Sequence, residues 1–106
     1  LIMEETTLIG NLGSNPILRY TDSGKAVANF NIAVNSYREE HPTWYKITLW
    51  ENDAENANKY LNKGDQVLVQ GRLTAEHYTN EATGQYHCNF TVTGRRIEYL
   101  HRNKPE

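Results

Sequence analysis

A chain of 106 residues, 38% of them hydrophobic, has material for one domain with a modest core. Its formal net charge of −2 and pI near 6.1 argue against binding driven by bulk positive potential, the usual footprint of duplex-DNA and polyphosphate binders, and leave room only for a local basic groove. One cysteine, Cys88, excludes an internal disulfide and suits a reducing compartment. Neither an apolar run of membrane-spanning length nor a basic-then-apolar leader is visible, so a cytoplasmic location and no membrane partner are expected.

Thr6 to Gly13 (TTLIGNLG) predicts a first strand, softened by Gly10 and Gly13, since glycines inside strands mark bends or close backbone approach. Asn15-Pro16 breaks this strand, Ile17-Leu18-Arg19-Tyr20 resumes it, and Thr21-Asp22-Ser23-Gly24 is a turn. Lys25 to Tyr37 alternates as a second strand. Ala28, Phe30, Ile32 and Val34 form one face, and Asn29, Asn31, Asn35 and Tyr37 the other. Arg38-Glu39-Glu40-His41-Pro42 is a polar hairpin loop.

The third strand, Thr43-Trp44-Tyr45-Lys46-Ile47-Thr48-Leu49-Trp50, is the most informative. With a period of two, Tyr45, Ile47 and Leu49 point to a core, and Trp44, Lys46, Thr48 and Trp50 point away from it. Two indoles on a polar face gain little in water unless something flat covers them. Rings interleaved with a lysine are what an unpaired nucleic-acid strand needs, with bases to stack and phosphates to neutralise. From this strand alone an alternative stays open: both indoles half-buried under loops or against a neighbouring subunit.

The one helix is expected over Asp53 to Asn62. Asn52 is its N-cap, Glu55 completes a capping box, Ala54, Ala57, Tyr60 and Leu61 form its apolar stripe, and Gly64 ends it. A fourth strand, Gln66 to Tyr78, alternates Val67, Val69, Gly71 and Leu73 against Leu68, Gln70 and Arg72. After a turn-rich loop, a fifth strand, Gln85 to Leu100, alternates Tyr86, Cys88, Phe90 and Val92 against His87, Asn89, Thr91 and Thr93. The order predicts one domain over residues 1–106, with ends 1–5 and 101–106 expected to be flexible. Its class is all-β with one short helix: a five-stranded OB-fold barrel, helix between strands 3 and 4. Closure removes the exposed edges, and this fold commonly offers strands 2–3 and its loops to oligonucleotides and oligosaccharides.

At this point the chain resembles the bacterial-type single-stranded DNA-binding proteins. The likeness runs from Thr7 to Leu100. It is carried by Leu8-Ile9-Gly10-Asn11-Leu12-Gly13, Asn15-Pro16, Leu18-Arg19-Tyr20-Thr21, Ser23-Gly24-Lys25-Ala26-Val27-Ala28-Asn29-Phe30, Thr43-Trp44, Tyr60-Leu61-Asn62-Lys63-Gly64 and Val67-Leu68-Val69-Gln70-Gly71-Arg72-Leu73, in this order and spacing. The resemblance implies that bases stack on Trp44, Trp50, Tyr37 and Tyr78, with Lys46 facing the strand. Arg19, Lys25, Arg38 and Arg72 are further candidates for phosphate. The resemblance also implies a homotetramer, an absence of catalysis, and a role in DNA replication, recombination and repair alongside other proteins of those processes. Its location would be at the nucleoid, an organelle matrix being the alternative.

The departures are specific. The loop between Tyr37 and Trp44 is short where many relatives carry a long basic hairpin. Thr74-Ala75-Glu76-His77 stands where relatives are rich in Arg and Lys. Tyr45 replaces a histidine common near a subunit contact, and no Gly/Pro/Gln-rich stretch with an acidic tip occurs within these residues. Less basic charge flattens the salt dependence of binding. Two other readings therefore stay open: a replication-restart accessory protein of the same fold acting through protein partners, and an enzyme or its OB appendage acting on RNA. Histidines 41, 77, 87 and 101 show no ligand spacing, and no phosphate-cradling glycine loop opens a helix, so neither a metal nor a cofactor is expected. Cys88 alternates with core residues, as an inert buried thiol would, and Arg95-Arg96 is expected to be a solvated strand end.

Overall fold

The alternating pattern becomes six strands and one helix among the described residues: β1 (Thr6–Leu12), β2 (Ile17–Tyr20), β3 (Ala26–Val34), β4 (Thr43–Trp50), α1 (Glu51–Tyr60), β5 (Gln66–Thr79) and β6 (Tyr86–His101). The computed structural model describes residues 4–101. Of the ends expected to be flexible, 1–3 and 102–106 lie outside that range, and His101 is paired with Gln66 at the end of β6.

The strands run β1-β5-β6-β4-β3, and β1 pairs back onto β3 through Asn11–Ala33 and Leu12–Ile32, which closes the ring. All pairings are antiparallel except β4 with β6. This is the expected OB-fold. The expected first strand is two strands. β2 does not continue β1 but pairs with the outer edge of β3, Ile17 opposite Asn29 and Tyr20 opposite Ala26. Closure depends on Gly10. A Cβ there would lie 2.6 Å from the Ala33 carbonyl oxygen, so only glycine lets β1 pass this close to β3 as it leaves β5.

The face assignments hold around the ring, whereas Leu73 and Tyr86, farther along β5 and β6, are exposed. Ile32, Ile47, Leu49, Val67, Val69 and Val92 are fully buried, joined by Leu12, Ala28 and Phe30. Each of these side chains larger than alanine contributes about 1.5–3 kcal/mol on burial. Ala54, Ala57 and Leu61 bring the helix onto this core, whereas Tyr60 stays largely exposed.

Three boundaries differ from expectation. β3 stops at Val34, whose partner Thr43 begins β4. Residues 35–42 have no strand to pair with, so they form the loop, and Tyr37 is in it. The helix starts at Glu51 rather than Asp53, with Trp50 as its cap residue and no side-chain cap bond; the Asn52–Glu55 capping box does not form. The reason is that β4 runs into α1 without a linker. Glu51 turns the chain in one step by taking the left-handed conformation, φ 56°. The helix also ends early, at Tyr60. Leu61 turns extended to reach the core, still donating its N–H to the Ala57 carbonyl at 2.9 Å. The next turn is held by Asp65, whose buried carboxylate accepts the Asn62 N–H at 2.9 Å.

Candidate nucleic-acid interface

The outer face of β4 presents Trp44, Lys46, Thr48 and Trp50 in a row, because the intervening Tyr45, Ile47 and Leu49 are drawn inward. Trp44 is 53% exposed and Trp50 41%, far more than a stable fold requires of indoles. The register extends the row sideways. Trp50 lies level with Val27 on β3, Thr48 with Asn29, Lys46 with Asn31 and Trp44 with Ala33. On the other side, Lys46 and Thr48 lie level with Thr91 and Thr93 of β6, which face Thr74 and Arg72 of β5.

Two open grooves run along this surface and meet at Lys46. One, of about 370 Å³, is lined by Asn31, Trp44, Tyr45, Lys46, Glu76, Asn89, Phe90 and Thr91. The other, of about 380 Å³, is lined by Arg19, Tyr20, Thr21, Val27, Asn29, Lys46, Thr48 and Trp50. In the second groove the Thr48 hydroxyl donates to Asn29 Oδ1 at 2.9 Å, which fixes its polar floor. An indole stands beside each groove, with the ammonium of Lys46 between them. The arrangement can take flat rings edge by edge while a cation holds the anionic link joining them.

Beyond the ring, β5 and β6 continue as a two-stranded arm. Tyr78 is 52% exposed on it, on the same side of β5 as Thr74 and Glu76. It stacks on His87 at 4.9 Å with an 18° interplanar angle, so the Tyr78 ring is held in place before any ligand arrives. The opposite side of the arm is more apolar. Tyr45 packs tilted on Phe90, ring centroids 5.9 Å apart, His77 touches Tyr86, and Cys88 lies opposite His77, only half-buried rather than in the core.

The other expected residues are placed less favourably. Arg72 shares the outer face but is 3.8 Å from Glu4, an exposed pair, and it lines a separate recess with Gly71 and Arg95. Lys25 stands at the β2–β3 turn, in line with Val27 but outside both grooves. Tyr37 is fully exposed in the 35–42 loop, its neighbour Arg38 is exposed, and neither lines a groove. Arg95 and Arg96 are engaged by Glu5 (3.0 Å) and Glu98 (2.9 Å).

Three contributors escape a reading of the sequence. His87 could have been found from the alternation of the fifth strand once Tyr78 was fixed opposite it. Glu76 shares that parity. Gly13 reads in the sequence as a bend or point of close approach, but nothing there names Trp44 as its partner. A Cβ built on it falls 2.5 Å from Cζ3 and 2.8 Å from Cη2 of Trp44, so the six-membered ring of the indole abuts the bare glycine backbone. Among the described residues no group of three or more His, Cys, Asp or Glu is arranged to hold a metal ion, and no helix is long and apolar enough to cross a membrane.

The family model of the single-strand binding proteins matches residues 3–100. The chain belongs to the single-strand binding protein family. It is 36% identical over 80 residues to single-stranded DNA-binding protein 1 of Synechocystis sp., a match covering 73% of this chain and 66% of that protein. It is 37% identical over 107 residues to the single-stranded DNA-binding protein of Deinococcus radiodurans, covering 94% of this chain and 35% of the relative. Among solved structures, a deletion mutant of the single-stranded DNA binding protein from Thermus aquaticus superposes with a TM-score of 0.75 at 33% identity, covering 97% of this chain and 43% of that one. The chain thus spans only part of the length of these family members.

Proposed function

We propose that this domain binds single-stranded DNA without strong sequence preference, as its relatives' names describe for them. Bases stack on Trp44 and Trp50, with Tyr78 extending the path along the arm and Tyr37 reaching in from its loop. Lys46 holds phosphate at the junction of the grooves, and Arg19, Lys25, Arg38 and Arg72 are further phosphate contacts. Stacking tolerates any sequence because every base has a π-face. The domain performs no catalysis, and it protects exposed strands during replication, recombination and repair in the nucleoid of the cytoplasm. The observation that carries this reading is the pair of half-exposed indoles sharing one face of β4 with Lys46.

Titration with oligo-dT tests it. A base on an indole quenches its emission, so tryptophan fluorescence should fall strongly. Unchanged emission at saturating DNA would refute the reading. Parallel titration with oligo-rU separates DNA from RNA. The accessory-protein reading draws support from the engagement of Arg72, Arg95 and Arg96 by acidic neighbours. It predicts weak quenching even with long oligomers.

Two indoles per domain limit affinity, so the working unit is a homo-oligomer, a tetramer by the family resemblance, whose tethered sites act at high effective concentration. Support comes from β1. Between Thr6 and Gly10 it pairs with β5 on one side only, leaving a strand edge that another copy can occupy, with Ile9 exposed beside it. Light scattering on dilute protein checks the mass. A monomer that still binds oligo-dT tightly sinks this part.

A further inference from the structure

We propose that Glu76 sets a base preference on this surface: its carboxylate favours bases that carry an exocyclic amine beside Trp44 and disfavours thymine. The inference rests on the reading of the surface as a single-strand binding site.

Glu76 is placed by register. On β5 it pairs with Asn89 of β6, one outward-facing position beyond the Thr74–Thr91 pair, and Thr91 is level with Lys46. Its side chain lines the same groove as Trp44, Lys46, Asn31 and Asn89. Among the described residues no cation lies within ion-pairing distance of it, Lys46 across the groove included, and no hydrogen bond is made to it. An unpaired carboxylate on this face, where the family resemblance leads one to expect basic residues, has no structural task here. It is exposed, so its removal leaves the core untouched.

The chemistry follows from what a carboxylate can do. It repels phosphate, so the strand must pass this point with a base rather than its backbone turned toward Glu76. It accepts hydrogen bonds and donates none. Cytosine offers its N4 amine, adenine its N6 amine, and guanine N1–H with its N2 amine. Thymine offers a single N3–H flanked by two carbonyl oxygens, both repelled. Carboxylate acceptance from the cytosine amine is an established mode of base reading. The ammonium of Lys46 and the amides of Asn31 and Asn89 remain as donors for the carbonyl oxygens of the same base. The contact discriminates only between bases that reach this groove, so it biases an otherwise tolerant surface.

The test compares wild type with E76Q and E76A on dT and dC oligomers of equal length, by tryptophan quenching at fixed salt. In both variants the ratio of dC to dT affinity should fall by about fivefold, mainly because dT binds more tightly once the carboxylate is gone. Melting temperatures should be unchanged. Equal tightening of dT and dC would reduce Glu76 to a bulk charge and overturn the proposal. So would a ratio that stays fixed or rises in either variant. If wild type shows no quenching with either oligomer, the parent reading has failed. Quenching in wild type with a ratio insensitive to Glu76 isolates the failure to this inference.

Discussion

Gly13→Ala tests whether Trp44 works because of where it is held. The new methyl would sit 2.5 Å and 2.8 Å from two indole carbons, about 1 Å inside normal contact. Something must move. The Gly13 backbone is pinned by its N–H bond to the Asn31 carbonyl at 2.9 Å, whereas the indole is half-exposed and free to swing outward. Gly13 is not among the positive-φ glycines, so alanine suits its backbone, and by reducing the freedom of the unfolded chain it offsets part of any clash, by about 0.4–1 kcal/mol. Stability should therefore change little. Binding should not. Losing a stacking platform costs about 1–3 kcal/mol, and a displaced one should lose a large part of that. The assay is a double-mutant cycle on oligo-dT affinity. Gly13→Ala should weaken binding in wild type and be nearly silent in a Trp44→Ala background, a coupling of about 1 kcal/mol or more. If Gly13→Ala costs as much without the indole as with it, the glycine serves the β1–β2 connection and not Trp44.

The two faces of β4 should separate cleanly on mutation. Trp50→Ala should weaken oligo-dT binding by about 1–3 kcal/mol with little change in melting temperature, whereas Ile47→Ala, fully buried, should cost about 2–5 kcal/mol of stability by chemical denaturation. If Trp50→Ala proves the more destabilising, the faces are inverted. Glu51→Gly should leave the melting temperature nearly unchanged. Relief of the left-handed conformation is worth about 1–2 kcal/mol, offset by loss of an acid from the first helical turn, about 0.3–1 kcal/mol, and by the greater freedom of the unfolded chain, about 0.4–1 kcal/mol. A clear fall in melting temperature would show that Glu51 is not strained.

What the sequence revealed, and what it hid, follows from the range of the interactions. Alternation is local, so the inward set Ile47, Leu49, Val67, Val69 and Val92 and the outward Trp44 and Trp50 could be read from the strands alone. Strand ends depend on partners far along the chain. Tyr37 fits the alternation of β3, but pairing stops at Val34 because β4 has begun only at Thr43. The cap was misread for a similar reason. Asn52 and Glu55 suit a helix start, yet the direct passage from β4 into α1 forces the turn onto Glu51. Most of the interface is nonlocal. Arg19 reaches the Trp50 groove through the pairing of β2 with β3. Arg72 is partly diverted by Glu4, and Gly13 meets Trp44 over the intervening strand β3. No pattern within a single segment encodes such meetings.

The charge distribution makes salt dependence the sharpest quantitative consequence of this surface. Arg72, Arg95 and Arg96 each have an acidic partner, and Glu76 stands in the groove itself. Of the proposed phosphate contacts that leaves Arg19, Lys25, Arg38 and Lys46 with no ion-pair partner among the described residues. For a single strand, log affinity falls with log salt concentration by about 0.7 for each phosphate neutralised, so four contacts give a slope of about −3 per domain. Stacking, which releases no counterions, should supply the rest of the affinity and persist at high salt. Titrations of oligo-dT across a range of sodium chloride concentrations measure the slope, and Lys46→Gln should make it shallower by about 0.7. A slope steeper than about −4 would mean more phosphate contacts than these cations provide. The exposed ion pairs would then have to open on binding to release their arginines, and binding would rest on charge rather than on the indoles.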